Sequence, residues 1–218
     1  MSNQIPLVSS DTIEQAIKKF HIKKVKFALS EQQMNDILET ALNNNYKHWV
    51  IIKTQLETGM RISEVCFLRI RAINFDESEI FLQGYKKDRY VKQWTPKTRA
   101  GNRIIPITKE LGLELKKFIG KRERGYVFLS QKGGHYNRNS LINMINRYAK
   151  KTPSLGKNIG SHALRRTYAS NLARKNIEIG RVSRILGHAD IKTTMQYLYD
   201  IIDKKNFDDV RDAVKKMY

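Results

Sequence analysis

Two tyrosines near the carboxyl end of the chain, Tyr197 and Tyr199, are candidate nucleophiles, because a phenol oxygen can form a covalent intermediate. The helix predicted over residues 192–202 carries an apolar stripe at i, i+3, i+4 and i+7, formed by Met195, Leu198, Tyr199 and Ile202. At roughly 100 degrees per residue, Tyr197 lies about 150 degrees from the centre of that stripe. The pattern therefore predicts that Tyr197 is free to meet a substrate. An ordinary surface tyrosine is the alternative.

The segment SHALRRTYAS contains a second candidate group, His162 and Arg165. One helix face is marked by an apolar residue at every fourth position: Leu164, Tyr168 and Leu172. Arg165 lies at the margin of this face and Arg166 nearly opposite, so we expect Arg165 to be partly buried. His162 precedes Arg165 by three positions and can reach the same ligand. A buried guanidinium needs an anion, either a phosphate or a carboxylate of this chain.

Two further cations are weaker candidates when each is taken alone. Arg61 lies in the segment TGMRISE, directly after the predicted end of a helix at Gly59. Lys97 lies in the segment WTPKTRAGNRIIP, at the tip of a predicted hairpin. A solvated arginine after a helix end and a solubilising hairpin lysine are both common, so neither residue alone indicates chemistry.

A mainly helical chain with a small antiparallel β-sheet, an α+β class, is expected to position these residues. Helical periodicity predicts helices near residues 12–20, 30–40, 47–57, 62–69, 109–121, 139–150, 163–175, 179–186, 192–202 and 207–217. Extended patterns predict strands over residues 80–83, 90–94 and 103–107, with a turn at 98–102. Ser30 is predicted to start the first helix of the main domain.

The charge of the chain indicates a polyanionic partner. Its 218 residues include 41 Lys and Arg against 21 Asp and Glu, a net charge of +20. Nucleic acid is the leading candidate. An anionic membrane surface is less favoured, because the cations do not lie on one amphipathic helix and no apolar run reaches about 18 residues. With no signal-peptide pattern and a single cysteine, Cys66, expected to be a buried thiol, we expect a soluble, cytoplasmic, DNA-associated protein.

The order of the motifs is more specific than any one of them. TGMRISE is followed by a lysine ahead of IIPI, then HALRR, then LGH, and then Tyr197 nine residues after His188. Over about residues 29–200 this set resembles the tyrosine recombinase family, the phage integrases and Xer-type recombinases. The resemblance implies that family's catalytic-domain architecture and six catalytic residues: Arg61, Lys97, His162, Arg165, His188 and Tyr197. Lys86, Lys87 and Lys92 are nearby alternatives to Lys97.

The activity implied by this resemblance is site-specific cutting and rejoining of double-stranded DNA through a 3'-phosphotyrosyl intermediate, in integration, excision or resolution of mobile or circular DNA. Both arginines and His188 would hold the phosphate oxygens, Lys97 would protonate the leaving oxygen, and His162 would assist proton transfer from Tyr197. No ATP, metal or other cofactor is expected, because the chain has no phosphate-loop motif and no zinc-ligand spacing. A type IB topoisomerase-like enzyme and a non-cutting DNA-binding regulator remain alternatives.

The expected domain organisation follows from the sequence pattern and the same resemblance. Residues 1–28 are expected to form a basic arm or linker, and residues 29–218 the catalytic domain, ending in a packing helix at about 203–218. In the family such a helix often docks on a neighbouring subunit of a DNA-bound tetramer, and in other members it packs on its own subunit, so we expect a homo-oligomer on DNA. Since typical members carry a separate amino-terminal domain, the chain is interpreted either as a catalytic fragment or as a minimal enzyme.

Overall fold

A computed structural model describes residues 27–84, 86–87, 89–96 and 99–195. The helices there are α1 (Glu31–Asn44), α2 (Tyr46–Thr58), α3 (Ile62–Phe67), α4 (Lys109–Ile119), α5 (Arg138–Lys151), α6 (Ser161–Arg174) and α7 (Ile179–Leu186). The strands are β1 (Ile73–Asn74), β2 (Glu79–Leu82) and β3 (Arg103–Pro106). Short 3-10 turns lie at Ile70–Ala72 and Arg99–Gly101, and residues 191–195 are helical. The mainly helical class with a small sheet is confirmed. The helices predicted near residues 12–20 and 207–217 lie outside the described residues.

Local capping sets the bounds of the first two helices. Ser30 starts α1 with a capping box, in which its hydroxyl accepts from the Gln33 amide and the Gln33 side chain accepts from the Ser30 amide. This confirms the predicted start, although α1 continues to Asn44 rather than ending near residue 40. Asn45 then caps α2 by accepting from the His48 amide. Gly59 ends α2 in the left-handed conformation with φ 61°, as predicted.

The sheet is antiparallel in the order β1-β2-β3, with Ile80 facing both Ile73 and Ile105. Ile80 and Ile105 are buried, whereas Phe81 and its partner Ile104 point outwards and are exposed. The sheet thus covers one side of the core and leaves its other face uncovered by the described residues. In chain order the sheet follows α3, and its last strand begins at Arg103.

The strand predicted over residues 90–94 is wrong. In the structure β2 is the central strand, and its two edges pair with β1 and β3. The Lys92 amide donates to the hydroxyl of Tyr126, and Trp94 stacks on Phe67. Trp94 serves side-chain packing instead, and the third strand of the sheet is the unpredicted β1.

Helix α2 lies at the centre of the main core and packs against α1, α4 and α6. Its fully buried residues include Val50, Ile51 and Ile52. Cys66 on α3 joins this core as a buried free thiol, as predicted, and burial raises its pKa to about 12. Within the described part of the chain, no helix is long and apolar enough to cross a membrane.

A second, smaller core joins α7 to α6 through Tyr168, Ala169, Val182 and Leu186. Gly59 lies against this cluster. A methyl group on Gly59 would lie 2.4 Å from Tyr168 Cδ1 and 3.0 Å from Leu186 Cδ2. The missing side chain therefore allows the end of α2 to touch both α6 and α7, which brings three predicted motif segments together.

Candidate active site

Four of the six predicted catalytic residues lie in the described part of the chain, close to the ends of α3, α6 and α7. Arg61 directly precedes α3, His162 lies in the first turn of α6, Arg165 lies one turn later, and His188 follows the Gly187 that ends α7. Lys97 and Tyr197 lie outside the described residues. The site geometry therefore rests on the two arginines and two histidines.

Arg165 connects the ends of two helices. Its side chain is buried, with 1% exposure, so the predicted partial burial is confirmed and exceeded. One guanidinium nitrogen donates to the Gly59 carbonyl and another to the Leu186 carbonyl, each at 2.6 Å. Arg166 is less buried and donates to the Phe27 carbonyl at 2.8 Å. Burial among carbonyls fixes the Arg165 guanidinium in one position.

Arg61 binds the same turn at the end of α7. Its Nη2 donates to the Gly187 carbonyl at 2.7 Å, and its Nη1 donates to Glu64 Oε1 at 2.9 Å. The other Glu64 oxygen accepts from the Arg61 amide at 2.7 Å. Arg61 and Arg165 therefore bind adjacent carbonyls, those of Gly187 and Leu186, immediately before His188. One backbone turn gathers both arginines and a histidine.

Glu64 and Arg103 complete this cluster, and neither was predicted. Glu64 is 2% exposed and accepts two hydrogen bonds from Arg103, at 2.9 Å and 2.8 Å. Burial opposes ionisation of Glu64, but hydrogen bonds and charge from Arg103, with the charges of Arg165 and Arg61, hold its pKa below the ordinary value. Glu64 is therefore an ionised carboxylate that partly neutralises the arginines. Two signals in the sequence could have indicated them. Glu64 lies three positions after Arg61, and Arg103 lies on the buried face of β3.

His188 is neutral in this setting. Burial first, and then the charges of Arg165, Arg61 and Arg103, lower its pKa to about 3, although Glu64 acts in the opposite direction. Its Nδ1 is hydrogen-bonded to the hydroxyl of the fully buried Thr194, 2.7 Å away. When the Thr194 hydroxyl donates to Nδ1, the single N–H of the ring is at Nε2, which points away from this contact. Thr194 is a further residue that the sequence did not indicate.

His162 is the most accessible of the four. It is exposed on the first turn of α6, and partial burial of its ring lowers its pKa, as do the charges of Arg165, Arg166, Arg138 and Arg61. The ring is therefore neutral at pH 7 and is able to accept a proton. Arg61 and Arg165 bind the turn that leads into His188, and their charges also act on His162, so these four residues form one cationic cluster suited to an oxyanion.

The residues flanking Lys97 also approach this turn. A methyl group on Gly187 would lie 2.6 Å from the Ala100 carbonyl oxygen and 2.9 Å from Arg103 Nη1. A methyl group on Gly101 would lie 2.3 Å from Pro96 Cβ. Pro96 and Gly101 are therefore in contact, and the segment that ends at Arg103 packs on the turn that precedes His188. Among the described residues, no group of three or more His, Cys, Asp and Glu could hold a metal ion.

Stability should depend on the protonation of His188. Its pKa of about 3 in the folded chain lies below the unfolded value of 6.5, so the unfolded state binds the proton first as the pH falls. We expect the free energy of unfolding of the wild type to drop more steeply from pH 7 to pH 5 than that of His188→Asn, by chemical denaturation at each pH. His48 and His162 titrate in both proteins and cancel in this comparison. Equal slopes would contradict the buried, neutral state of His188.

Gly187→Ala should test the close packing of the turn. Gly187 has φ 67°, and Gly156 has a similar φ of 60°, but no atom lies within 4 Å of the place that a methyl group on Gly156 would take. We expect Gly156→Ala to lose about 1–3 kcal/mol from the left-handed backbone alone, and Gly187→Ala to lose more, because its methyl also meets Ala100 and Arg103. Urea denaturation measures both. Equal losses would show that the turn and the Ala100 segment separate easily.

Comparison with known proteins identifies the family of the chain. Residues 28–201 match the model of the phage integrase family. The tyrosine recombinase XerA of Pyrococcus horikoshii is 26% identical over 199 residues, covering 89% of this chain and 62% of XerA. Transposase A from transposon Tn554 of Staphylococcus aureus is 27% identical over 207 residues, covering 90% of this chain and 55% of the transposase. The chain thus spans less than two thirds of the length of either relative.

A solved structure shows the same fold. The integrase of transposon Tn1549, solved as residues 82–397 in complex with transposon right end DNA, superposes with a TM-score of 0.68 at 26% identity, covering 81% of this chain and 62% of the solved chain. The architecture of tyrosine recombinase catalytic domains, expected from the motif order, is therefore confirmed. Because the family model matches most of its length, the chain belongs to the phage integrase family.

Proposed function

We propose that the protein is a site-specific DNA recombinase that cuts and rejoins double-stranded DNA through a covalent 3'-phosphotyrosyl intermediate. One observation carries the proposal: Arg61 and Arg165 bind adjacent carbonyls of the turn that leads into His188. The proposed catalytic residues are Arg61, Lys97, His162, Arg165, His188 and Tyr197. Carbonyls at two corners hold the Arg165 guanidinium in place, and its planar fork of donors suits a scissile phosphodiester.

The two arginines and His188 stabilise the charge that develops on the nonbridging oxygens. Fixed donors of this kind typically contribute about a hundredfold to a thousandfold each in rate. Because burial and the charges of the arginines keep His188 neutral, its N–H adds a hydrogen bond without adding a third formal charge. Glu64 offsets part of the arginine charge, and the three arginines around this one carboxylate leave the site positively charged for an anion.

The chemical step transfers the phosphoryl group from one oxygen to another. The Tyr197 oxygen attacks phosphorus, the bond from phosphorus to the 5' oxygen breaks, and that oxygen leaves with the electron pair. Lys97 supplies the proton to the leaving oxygen, and neutral His162 accepts the phenol proton. The new phosphotyrosyl bond conserves the energy of the broken one, so a 5' hydroxyl of another strand reseals the DNA without ATP.

The partner is double-stranded DNA, on which we propose a tetramer. The net charge of +20 supports a polyanionic partner, and the related Tn1549 integrase was solved with transposon end DNA. The relatives act in recombination and transposition by their names, so integration or excision of mobile DNA is the proposed role. Binding should weaken steeply with salt, because Lys and Arg contacts to phosphates release counterions.

A covalent-capture experiment tests the proposal. The protein is mixed, in a buffer containing EDTA, with a pool of duplexes whose nicked central region is randomised, so that a cut fragment diffuses away and the adduct is trapped. Detergent-resistant adducts are then isolated, the attached DNA is sequenced, and the modified peptide is identified by mass spectrometry. An adduct on Tyr197 with a common DNA sequence supports the proposal.

Other outcomes of the same experiment identify the alternatives. Supercoil relaxation with no exchange between duplexes would indicate a type IB topoisomerase-like enzyme. Tight binding without any adduct would indicate a non-cutting regulator. An adduct that forms only after a divalent metal is added would contradict the metal-free mechanism.

A further inference from the structure

Arg103 is a buried arginine in the segment WTPKTRAGNRIIP, and it was not among the predicted catalytic residues. It begins β3 and lies on the same strand face as the buried Ile105. Its side chain is only 5% exposed. A buried guanidinium at this position needs a structural reason, because desolvating the charge is costly unless it is paired.

The hydrogen bonds of Arg103 reach three separate segments. Nη1 and Nη2 donate to the two oxygens of Glu64 at 2.9 Å and 2.8 Å. Nε donates to the Ile185 carbonyl at 2.5 Å, and Nη1 also donates to the Gly101 carbonyl at 3.1 Å. Four of the five N–H groups are therefore used within the protein, which leaves at most one for a substrate.

One of these acceptors, Glu64, also binds a proposed phosphate-binding residue, and another, the Ile185 carbonyl, lies next to carbonyls that do. Glu64 binds Arg61 through both the amide and the guanidinium. The Ile185 carbonyl lies one residue before the Leu186 carbonyl that binds Arg165, and two before the Gly187 carbonyl that binds Arg61. Arg103 thus contacts the supports of both arginines.

Gly187 allows this arrangement at short range. A methyl group there would lie 2.9 Å from Arg103 Nη1 and 3.0 Å from Arg103 Cδ. The Arg103 side chain therefore lies directly against the turn that leads into His188. Because Arg103 also begins the strand that follows the Lys97 segment, one side chain connects that segment, α3 and the end of α7.

We propose that Arg103 is a positioning residue that assembles the phosphate site, by holding Glu64, and through it Arg61, against the turn that carries His188. This inference rests on the proposed function. Lysine cannot replace it, because an ammonium is a point donor, whereas the guanidinium fork binds both Glu64 oxygens and a carbonyl at a third corner. Arg103 acts on the reaction only through Arg61, Glu64 and the turn.

The test compares Arg103→Lys with Arg122→Lys on a duplex recovered by the covalent capture. Arg122 is a matched control, since it donates to the carbonyls of Ile119, Tyr126 and Val127 away from the site. We expect Arg103→Lys to slow single-turnover adduct formation on the order of a hundredfold, because small misplacements of catalytic groups have effects of that size. DNA affinity should change by less than about threefold, since phosphate contacts elsewhere dominate it. Arg122→Lys should keep the wild-type rate.

A second substrate separates positioning from general damage. A methylphosphonate at the scissile position is neutral, whereas the ordinary phosphodiester is negatively charged. Arg61 and Arg165 therefore have less negative charge to stabilise during cleavage of the methylphosphonate duplex. On this substrate, the loss of rate in Arg103→Lys relative to the wild type should therefore be at least about tenfold smaller, because a misplaced donor is expected to cost about a hundredfold in rate. A deficit of the same size on both substrates would overturn the proposal, and so would a wild-type rate for Arg103→Lys on the ordinary duplex.

A further variant covers the case in which Arg103→Lys does not fold. Glu64→Asp keeps the charge but withdraws the carboxylate by one methylene, and it should show the same rescue by methylphosphonate. Absence of that rescue in a folded Glu64→Asp protein would also overturn the proposal. A wild-type chain that forms no adduct on any duplex would instead refute the proposed function, so the two failures are distinguishable.

Discussion

Tyr197→Phe is expected to form no detectable covalent adduct with DNA, whereas Tyr199→Phe should retain adduct formation within about threefold of the wild type. Phenylalanine lacks the oxygen that attacks phosphorus, and loss of a nucleophile typically lowers such rates by at least about 10⁴-fold. Tyr199 belongs to the predicted apolar stripe, in which phenylalanine preserves the packing ring. The measurement is the yield of detergent-resistant adduct on a nicked duplex, with DNA affinity measured in parallel.

The paired variants also exclude indirect effects. Both remove one hydroxyl from a tyrosine two residues from the other, so a general loss of folding or DNA binding should affect both. An adduct that persists in Tyr197→Phe but disappears in Tyr199→Phe would reverse the assignment. Persistence in both would place the nucleophile elsewhere in the chain.

Glu64→Ala should be the most destabilising substitution in the site, with a loss of about 3–5 kcal/mol, because it leaves a buried arginine without its partner. Glu64 is 2% exposed and binds Arg103, whose side chain is 5% exposed. Without the carboxylate, Arg103 loses two of its four hydrogen bonds and three guanidiniums repel one another. Chemical denaturation at pH 7 measures the loss.

Glu57→Ala is the matched control for this prediction. Glu57 also pairs with a cation on its own helix, Lys53, but both side chains are partly exposed. Ion pairs of this kind contribute about 0–1 kcal/mol, so the control should lose no more than that. Similar losses in Glu57→Ala and Glu64→Ala would mean that water or local rearrangement compensates the buried arginines.

Features encoded by neighbouring residues were predicted well. The helix start at Ser30 and the helix end at Gly59 depend on short segments, and both were predicted; the structure adds the capping box and the left-handed conformation. The burial of Arg165 followed from helix periodicity alone. The predicted bounds of α7 agree with the structure, because the helix ends at a glycine that adopts the left-handed conformation.

Features that depend on distant contacts were missed. The bonds between Glu64 and Arg103 join residues 39 positions apart, and the bond from Arg61 to Gly187 joins residues 126 positions apart. Periodicity does not show which segments meet. The incorrect strand at residues 90–94 has a related cause, since aromatic residues favour strands and packed loops alike, and only the partners Phe67 and Tyr126 decide between them.

The contact between Gly59, Tyr168 and Leu186 constrains how this sequence can drift over time. A side chain at position 59 would collide with Tyr168 Cδ1 at 2.4 Å, so such a change is tolerated only in a lineage that has already acquired a smaller residue at position 168. The left-handed backbone at Gly59 adds a second barrier, which asparagine crosses more easily than alanine. The order of substitutions therefore matters, and the segments TGMR, HALRR and LGH should evolve as a linked group although more than a hundred positions separate the first from the others.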